Sequence, residues 1–157
     1  MGTNHMGRQS ICFPQPPVVR GFASVAGKKE REGPLGDQFT ATVQDTTFGE
    51  KSWERAERRM QQMTLELALE KAGLTDADLD AAFAGDLLNQ CIGSSFSLRN
   101  RGVPTLGLYG ACSTMAESLL LAAMSVSGGF ARTALAMTSS HFASSERQYR
   151  FPLGYGG

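Results

Sequence analysis

Residues 108–124 read LYGACSTMAESLLLAAM. Gly110 ends an extended apolar run, Cys112 follows, and the stretch beyond it carries a single charge, Glu117. Its Met, Ala and Leu content predicts a helix over 113–127, stopped by Gly128 and Gly129. A helix that is apolar nearly all round belongs inside a protein, covered on more than one side. One α/β domain of 157 residues has few ways to cover it completely. A further layer, from a partner chain or from additional sequence, is therefore expected over it.

Working outward, VPTLGLYG (103–110) reads as a strand with Pro104 tolerated only near its start. RTALAMTSS (132–140) reads as a buried strand, and LDAAFAG (79–85) as another that ends at Gly85. Between them CIGSSFSLRNRG (91–102) predicts a helix closed by Gly102. The clearest amphipathic helix is WERAERRMQQMTLELALEKA (53–72). Ala56, Met60, Met63, Leu67 and Ala68 recur at helical spacing, a stripe that reads as core packing. Glu54, Arg55, Glu57, Arg58 and Arg59 are assigned to other faces, and Gly73 is the stop. Thr75 is placed to cap the short turn DADLD (76–80).

Helices alternating with strands at these lengths imply right-handed βαβ units and a mostly parallel sheet, an α/β fold. Residues 1–52 are irregular, with room for one strand in VVRGFASVAG (18–27) and a charged surface loop at GKKEREGPLG (27–36). They are assigned to the same domain as the 53–157 α/β core. The tail from His141 onward reads as loop.

The chain is 41% hydrophobic and 19% charged, enough for one globular core. Fifteen basic and fifteen acidic residues cancel, which leaves no electrostatic footprint for nucleic acid and no polybasic membrane anchor. The cysteines, Cys12, Cys91 and Cys112, form neither a metal motif nor an even disulfide framework, so a reduced, intracellular setting is expected. The N-terminus lacks the apolar region of a secretory signal. The least polar window, 103–126, is interrupted by Pro104, Gly107, Gly110 and Glu117, whereas a membrane span needs ~20 apolar residues in one helix. A soluble chain is expected, which is compatible with docking to a membrane complex.

At a strand-to-helix turn, backbone N–H groups and the positive end of the helix dipole face Cys112 and favour its thiolate. The same donors suit a carboxylate or an oxyanion, and Ser113 and Thr114 add hydroxyls. Alternatively, Cys112 fills space where strand and helix meet. A cysteine nucleophile needs a base. His5 lies in the irregular N-terminus, whereas His141 follows a predicted strand. Ligand crevices of open α/β sheets lie outside the C-terminal strand ends. Three such ends carry Asp86 and Asn89, Cys112, and Ser140 with His141. Equally, His141 is an exposed loop residue, and Asp86 caps the next helix.

The tetrapeptide GACS (110–113) resembles the nucleophile turn of thiolases and ketoacyl synthases. EGPLG (32–36), WERAERRM (53–60), AGDLLNQ (84–90), YGACSTMAES (109–118), GGFARTALAMTSSH (128–141) and ERQYRFPLGYGG (146–157) together resemble the stage V sporulation protein AD family. That resemblance implies a thiolase-like fold of which this chain is the first of two βαβ-rich halves, with the C-terminal half absent. It implies a dipicolinic acid-binding protein that contributes to uptake of calcium dipicolinate into the forespore. Implied partners are other stage V sporulation membrane proteins, and a second copy of the full-length protein as in thiolase dimers. The implied location is the cytoplasmic or forespore side, peripheral to the spore inner membrane. No cofactor and no metal site is implied.

Thiolases draw their catalytic His, an Asn and often a second Cys from the second half, so of that set only the Cys112 position carries over. His141 does not match the catalytic histidine. Three readings follow. In the first, Asp86, Asn89, Cys112, Ser113, Ser140 and His141 contribute to a dipicolinate pocket, with Tyr109 or Phe142 offering apolar surface. In the second, a thiolase-type acyltransferase works through acyl-Cys112. In the third, a non-catalytic scaffold docks membrane partners.

Overall fold

The computed structural model describes residues 4–149. Its centre is a three-stranded parallel sheet built from β5 (Ala81–Gly85), β6 (Thr105–Gly107) and β7 (Ala134–Thr138), in the order β6-β5-β7. In register, Ala82, Phe83 and Ala84 face Thr105, Leu106 and Gly107 on one side. On the other side Ala84 pairs with Met137 and Gly85 with Thr138. Helix α3 (Ile92–Leu98) joins β5 to β6, and α4 (Thr114–Ser127) joins β6 to β7. The expected alternation and parallel sheet are therefore present, in keeping with a thiolase-like α/β fold.

The sheet is covered differently on its two faces. On one, Ala82, Ala84 and Met137 pack with Leu98 and Val103 and with Leu65 and Leu69 of α2 (Trp53–Ala72). The alanines are fully buried, and their small side chains bring the helices close to the backbone of the central strand. On the other face α4 lies along the sheet through Thr114, Ser118 and Ala122, all buried. Its large apolar residues, Met115, Leu119, Leu120 and Met124, point away and are 43–58% exposed. The helix expected to be buried thus has one small-residue face buried, and its apolar face is open in this chain.

Helix α2 has the predicted ends. Ser52 Oγ accepts the Arg55 N–H at 3.3 Å, and Gly73 closes the helix in the left-handed conformation with φ 65°. Its buried stripe differs from the expected one. Ala56, Glu57, Gln61, Leu65 and Leu69 are buried, whereas Met60, Met63, Leu67 and Ala68 are only half-buried. Glu57, assigned to a solvent face, is fully sealed. The reason is chemical: serine hydroxyls from distant segments meet Glu57 and Gln61, so these polar side chains turn inward with partners.

Three other expectations need correction. RTALAMTSS is not wholly buried, because β7 is an edge strand with Ala134, Leu135 and Ala136 half-exposed; β6 forms the opposite, exposed edge. The segment after His141 is not loop but a helix, α5 (Phe142–Tyr149). Ser144 and Ser145, poor helix formers, hid it, yet the Ser145 N–H donates to the His141 carbonyl at 3.1 Å and the Ser144 N–H to His141 Nδ1 at 3.4 Å, which starts the helix. The charged segment near residue 30 contains one exposed helical turn, α1 (Lys28–Arg31).

The N-terminal part also carries an antiparallel pair, β1 (His5–Met6) with β2 (Ser10–Ile11), and a parallel pair, β3 (Val25–Ala26) with β4 (Ala41–Thr42). Thr75 makes the expected cap, with a reciprocal Thr75–Asp78 capping box. Residues 150–157, which complete the ERQYRFPLGYGG motif, lie outside the described residues. Among the described residues no helix is long and apolar enough to cross a membrane.

Candidate functional site

The C-terminal ends of β5, β6 and β7 lie at one edge of the sheet because the strands are parallel. Gly85, the last residue of β5, is the pivot. A Cβ there would stand 2.1 Å from the Leu108 carbonyl oxygen and 2.6 Å from Thr114 Cγ2. Only glycine lets the loop after β6 lie directly on the strand end.

That loop holds Cys112 in a 3₁₀ turn, Ala111–Ser113, immediately before α4. Ala111 enters it at φ 50°, a left-handed value that costs an alanine energy and marks a constrained turn. Cys112 is exposed. Ser113, expected to offer its N–H and hydroxyl outward, does not: both donate to the Gly110 carbonyl, at 3.0 and 2.7 Å. Thr114 is buried and accepts the Gly110 N–H at 3.1 Å. The polar groups of the turn thus hold its own shape and leave the sulfur presented. Beneath it, Glu117 Oε2 is buried without a hydrogen-bond partner among the described residues.

Asp86, at the end of β5, is 1% exposed and fully engaged. Oδ1 accepts the Leu88 N–H at 2.8 Å, and Oδ2 accepts the Ser94 N–H and hydroxyl, each at 2.7 Å. It serves as the anchor of the first turn of α3. Asn89 is exposed, and its backbone N–H donates to Gln148 Oε1 at 2.9 Å. Gln90 and Cys91 follow with φ 57° and 51°. Cys91 is buried and donates to the Leu108 carbonyl at 3.0 Å, tying the loop after β5 to the loop after β6. Burial, with the nearby Asp86 charge, pushes the Cys91 thiol up.

Beyond β7 the residue that enters the interior is Ser139, not the exposed Ser140. Ser139 Oγ donates to Glu57 at 2.7 Å and receives Gln61 Nε2 at 2.6 Å. Gln61 Nε2 also reaches Ser94 Oγ at 3.1 Å, and its Oε1 accepts from Ser97 at 2.6 Å. Ser144 Oγ donates to Glu57 at 2.5 Å. A continuous buried chain of hydrogen bonds therefore runs from Ser144 through Glu57, Ser139, Gln61 and Ser94 to Asp86. It joins α5, α2, the end of β7, α3 and the end of β5. Burial holds the Glu57 carboxyl above its ordinary value, against the two serine hydrogen bonds and the His141 contact, which favour the charge.

His141 is not directed at Cys112. Its Nδ1 accepts the Ser144 N–H at 3.4 Å, so Nε2 carries the proton and donates to the Thr46 carbonyl at 2.9 Å. Its ring packs on Trp53 and Phe48, with centroids 5.7 and 6.4 Å away. Both nitrogens are committed to the start of α5 and to the N-terminal segment. Phe142 is 76% exposed.

Helix α5 crosses this edge. Tyr149 donates to the Leu87 carbonyl at 2.7 Å, so the 2.7 Å bond between the hydroxyls of Tyr109 and Tyr149 is donated by Tyr109. The edge is thus assembled from Cys112 and Tyr109 after β6, Leu87 and Asn89 after β5, and Gln148 and Tyr149 of α5. Asp86 and His141 support it from beneath and beside. Two surface depressions, about 280 and 260 Å³, lie elsewhere: between the β1–β2 hairpin and the end of α4, and over α3 and β6. Among the described residues no group of three or more His, Cys, Asp or Glu side chains could hold a metal ion.

The sequence pattern located Cys112 and the edge but missed Glu57, Gln61, Ser139 and Tyr149. A visible signal for Glu57 and Gln61 was their i, i+4 spacing with Leu65 and Leu69, a stripe as regular as the methionine one.

The family model described as Stage V sporulation protein AD matches residues 7–157. Stage V sporulation protein AD of Bacillus subtilis (strain 168) is 44% identical over 151 residues, which covers 96% of this chain and 45% of that relative. The chain spans about half the length of the curated relative it matches. Matched by that family model over nearly its whole length and 44% identical to a member, the chain belongs to the stage V sporulation protein AD family, whose name places it in sporulation.

Proposed function

We propose that the full-length protein binds dipicolinic acid at the C-terminal edge of this sheet and thereby contributes to calcium-dipicolinate uptake into the forespore. In this reading it works with stage V sporulation membrane proteins. One observation supports a ligand site here: Cys112 is presented on a constrained turn at the same edge that carries the hydroxyls of Tyr109 and Tyr149. An exposed thiol on such a turn can line a site for a flat dicarboxylate. The Tyr109 phenol, once parted from Tyr149, supplies a donor suited to its carboxylates.

Isothermal calorimetry on the full-length protein tests this. Dipicolinate binding that weakens in both Cys112→Ala and the bulkier Cys112→Trp is expected. Unchanged affinity in both variants would remove Cys112 from the site. Incubation with acetyl-CoA separates the enzymatic alternative, since an acetyl mass shift on the Cys112 peptide would establish an acyl-enzyme.

A further inference from the structure

The two ends of α5 are held by opposite kinds of bond. At its start Ser144 is fully buried and donates to the sealed Glu57 carboxyl, while His141 is clasped by Thr46, Phe48 and Trp53. Arg147, in the last turn, makes a solvent-exposed ion pair at 3.0 Å with Glu54 on α2. Breaking the buried bonds would strand polar groups away from water. The fastenings of its last two residues are exposed: Gln148 to the Asn89 N–H, Tyr149 to the Leu87 carbonyl, and Tyr149 to Tyr109. Tyr149 and Tyr109 are 61% and 56% exposed, so water replaces those bonds as soon as they part.

We propose that Tyr149 is a releasable latch, and that the last turn of α5 swings from the Ser144–Glu57 anchor to admit ligand to the Cys112 turn. The proposal rests on the reading of this edge as the ligand site. Release has a direct chemical consequence there. Tyr109, three residues before Cys112, donates its hydroxyl proton to Tyr149 when the latch is closed. When the latch opens, that donor is free to turn to a carboxylate oxygen of an aromatic dicarboxylate. The closed state therefore occupies with Tyr149 the same hydrogen bond that a ligand would take. Ligand and latch compete for one phenol, and such a competition couples binding to the position of α5.

The experiment uses the full-length protein and two variants, Tyr149→Phe and Tyr109→Phe, in two measurements. Hydrogen–deuterium exchange without ligand follows the amides of 142–149. Stopped-flow fluorescence follows dipicolinate association. Tyr149→Phe removes both hydroxyl bonds and keeps the ring. Faster exchange confined to the final turn, with association accelerated about fivefold, is expected. Tyr109→Phe should also speed association, yet weaken affinity, because it deletes the donor that the ligand takes over. Exchange and association both unchanged in Tyr149→Phe would overturn the latch. Exchange that rises equally along all of α5 would also overturn it, since the anchor would then not hold. If the wild-type protein binds no dipicolinate, the ligand reading fails while the exchange measurement still decides the latch.

Discussion

Ser144 Oγ donates to the Glu57 carboxylate at 2.5 Å, and both residues are completely shielded from solvent. No basic side chain is hydrogen-bonded to Glu57 among the described residues, and its partners are the hydroxyls of Ser139 and Ser144. Asp86, from the end of β5, adds a like charge, and His141, at the start of α5, a partial opposing one. The balance raises the folded-state pKa above the unfolded value. Folding therefore favours the protonated acid: its contribution is fully present below the unfolded pKa and is lost as pH rises through the folded pKa. Stability of the wild-type chain should fall on the alkaline side of that window, and Glu57→Gln should flatten the fall. Thermal denaturation in a pH series from acid to mildly alkaline checks this, and parallel curves for the two proteins would refute it. Glu57→Ala, which leaves both serines without their partner, should cost about 1–3 kcal/mol.

Glycines at two positions are required for different reasons. At Gly73 φ is 65° and the space a Cβ would enter is open, so Gly73→Ala should cost only about 1–2 kcal/mol of left-handed strain. At Gly85 an added Cβ would collide with backbone at 2.1 Å. Gly85→Ala should cost at least ~1–3 kcal/mol and displace the Cys112 turn. Chemical denaturation of the two variants side by side would show the order, and equal stability would contradict it.

The cysteines should separate by reactivity. Cys112 and Cys12 are exposed, whereas Cys91 is buried, bonded to the Leu108 carbonyl, and held protonated to higher pH. Iodoacetamide at neutral pH, followed by peptide mass spectrometry, should modify Cys112 and Cys12 well before Cys91. Early labelling of Cys91 would mean that the bond joining the β5 and β6 loops opens readily.

The outer face of α4 predicts association. Met115, Leu119, Leu120 and Met124 form one exposed apolar strip. The 157-residue chain in isolation should self-associate, and Leu119→Gln with Leu120→Gln should lower its sedimentation weight. Each substitution should alter folding stability by no more than ~0.5 kcal/mol, as expected of exposed positions. A monomeric wild-type chain would oppose this prediction.

Much of the fold was legible because it depends on neighbours in sequence. Ser52 and Gly73 bound α2 through local capping, and Gly102 and Gly129 punctuate helices through their backbone freedom. The parallel sheet followed from alternating strand and helix lengths. Cys112 was readable in the same way, since a strand–Gly–helix transition places it at the C-terminal edge wherever the rest of the chain goes. The helical tail was less legible. Two serines lower its intrinsic propensity, and the groups that secure it, Glu57, Leu87 and Tyr109, come from other segments.

What the amino-acid sequence determined by itself was therefore the set of elements, their order and the position of the cysteine turn. What only the tertiary structure decided was which polar side chains turn inward. Glu57 looked like a surface residue of an amphipathic helix, Ser139 like the end of a strand and Ser144 like a loop residue. They meet across 82 and 87 positions of chain. A buried carboxyl is tolerable only when such donors arrive together, and no local pattern records that arrival. Likewise His141, aimed by sequence at the strand ends, is drawn to Thr46 across 95 positions, because that carbonyl needs its proton and the Trp53 face lies beside it.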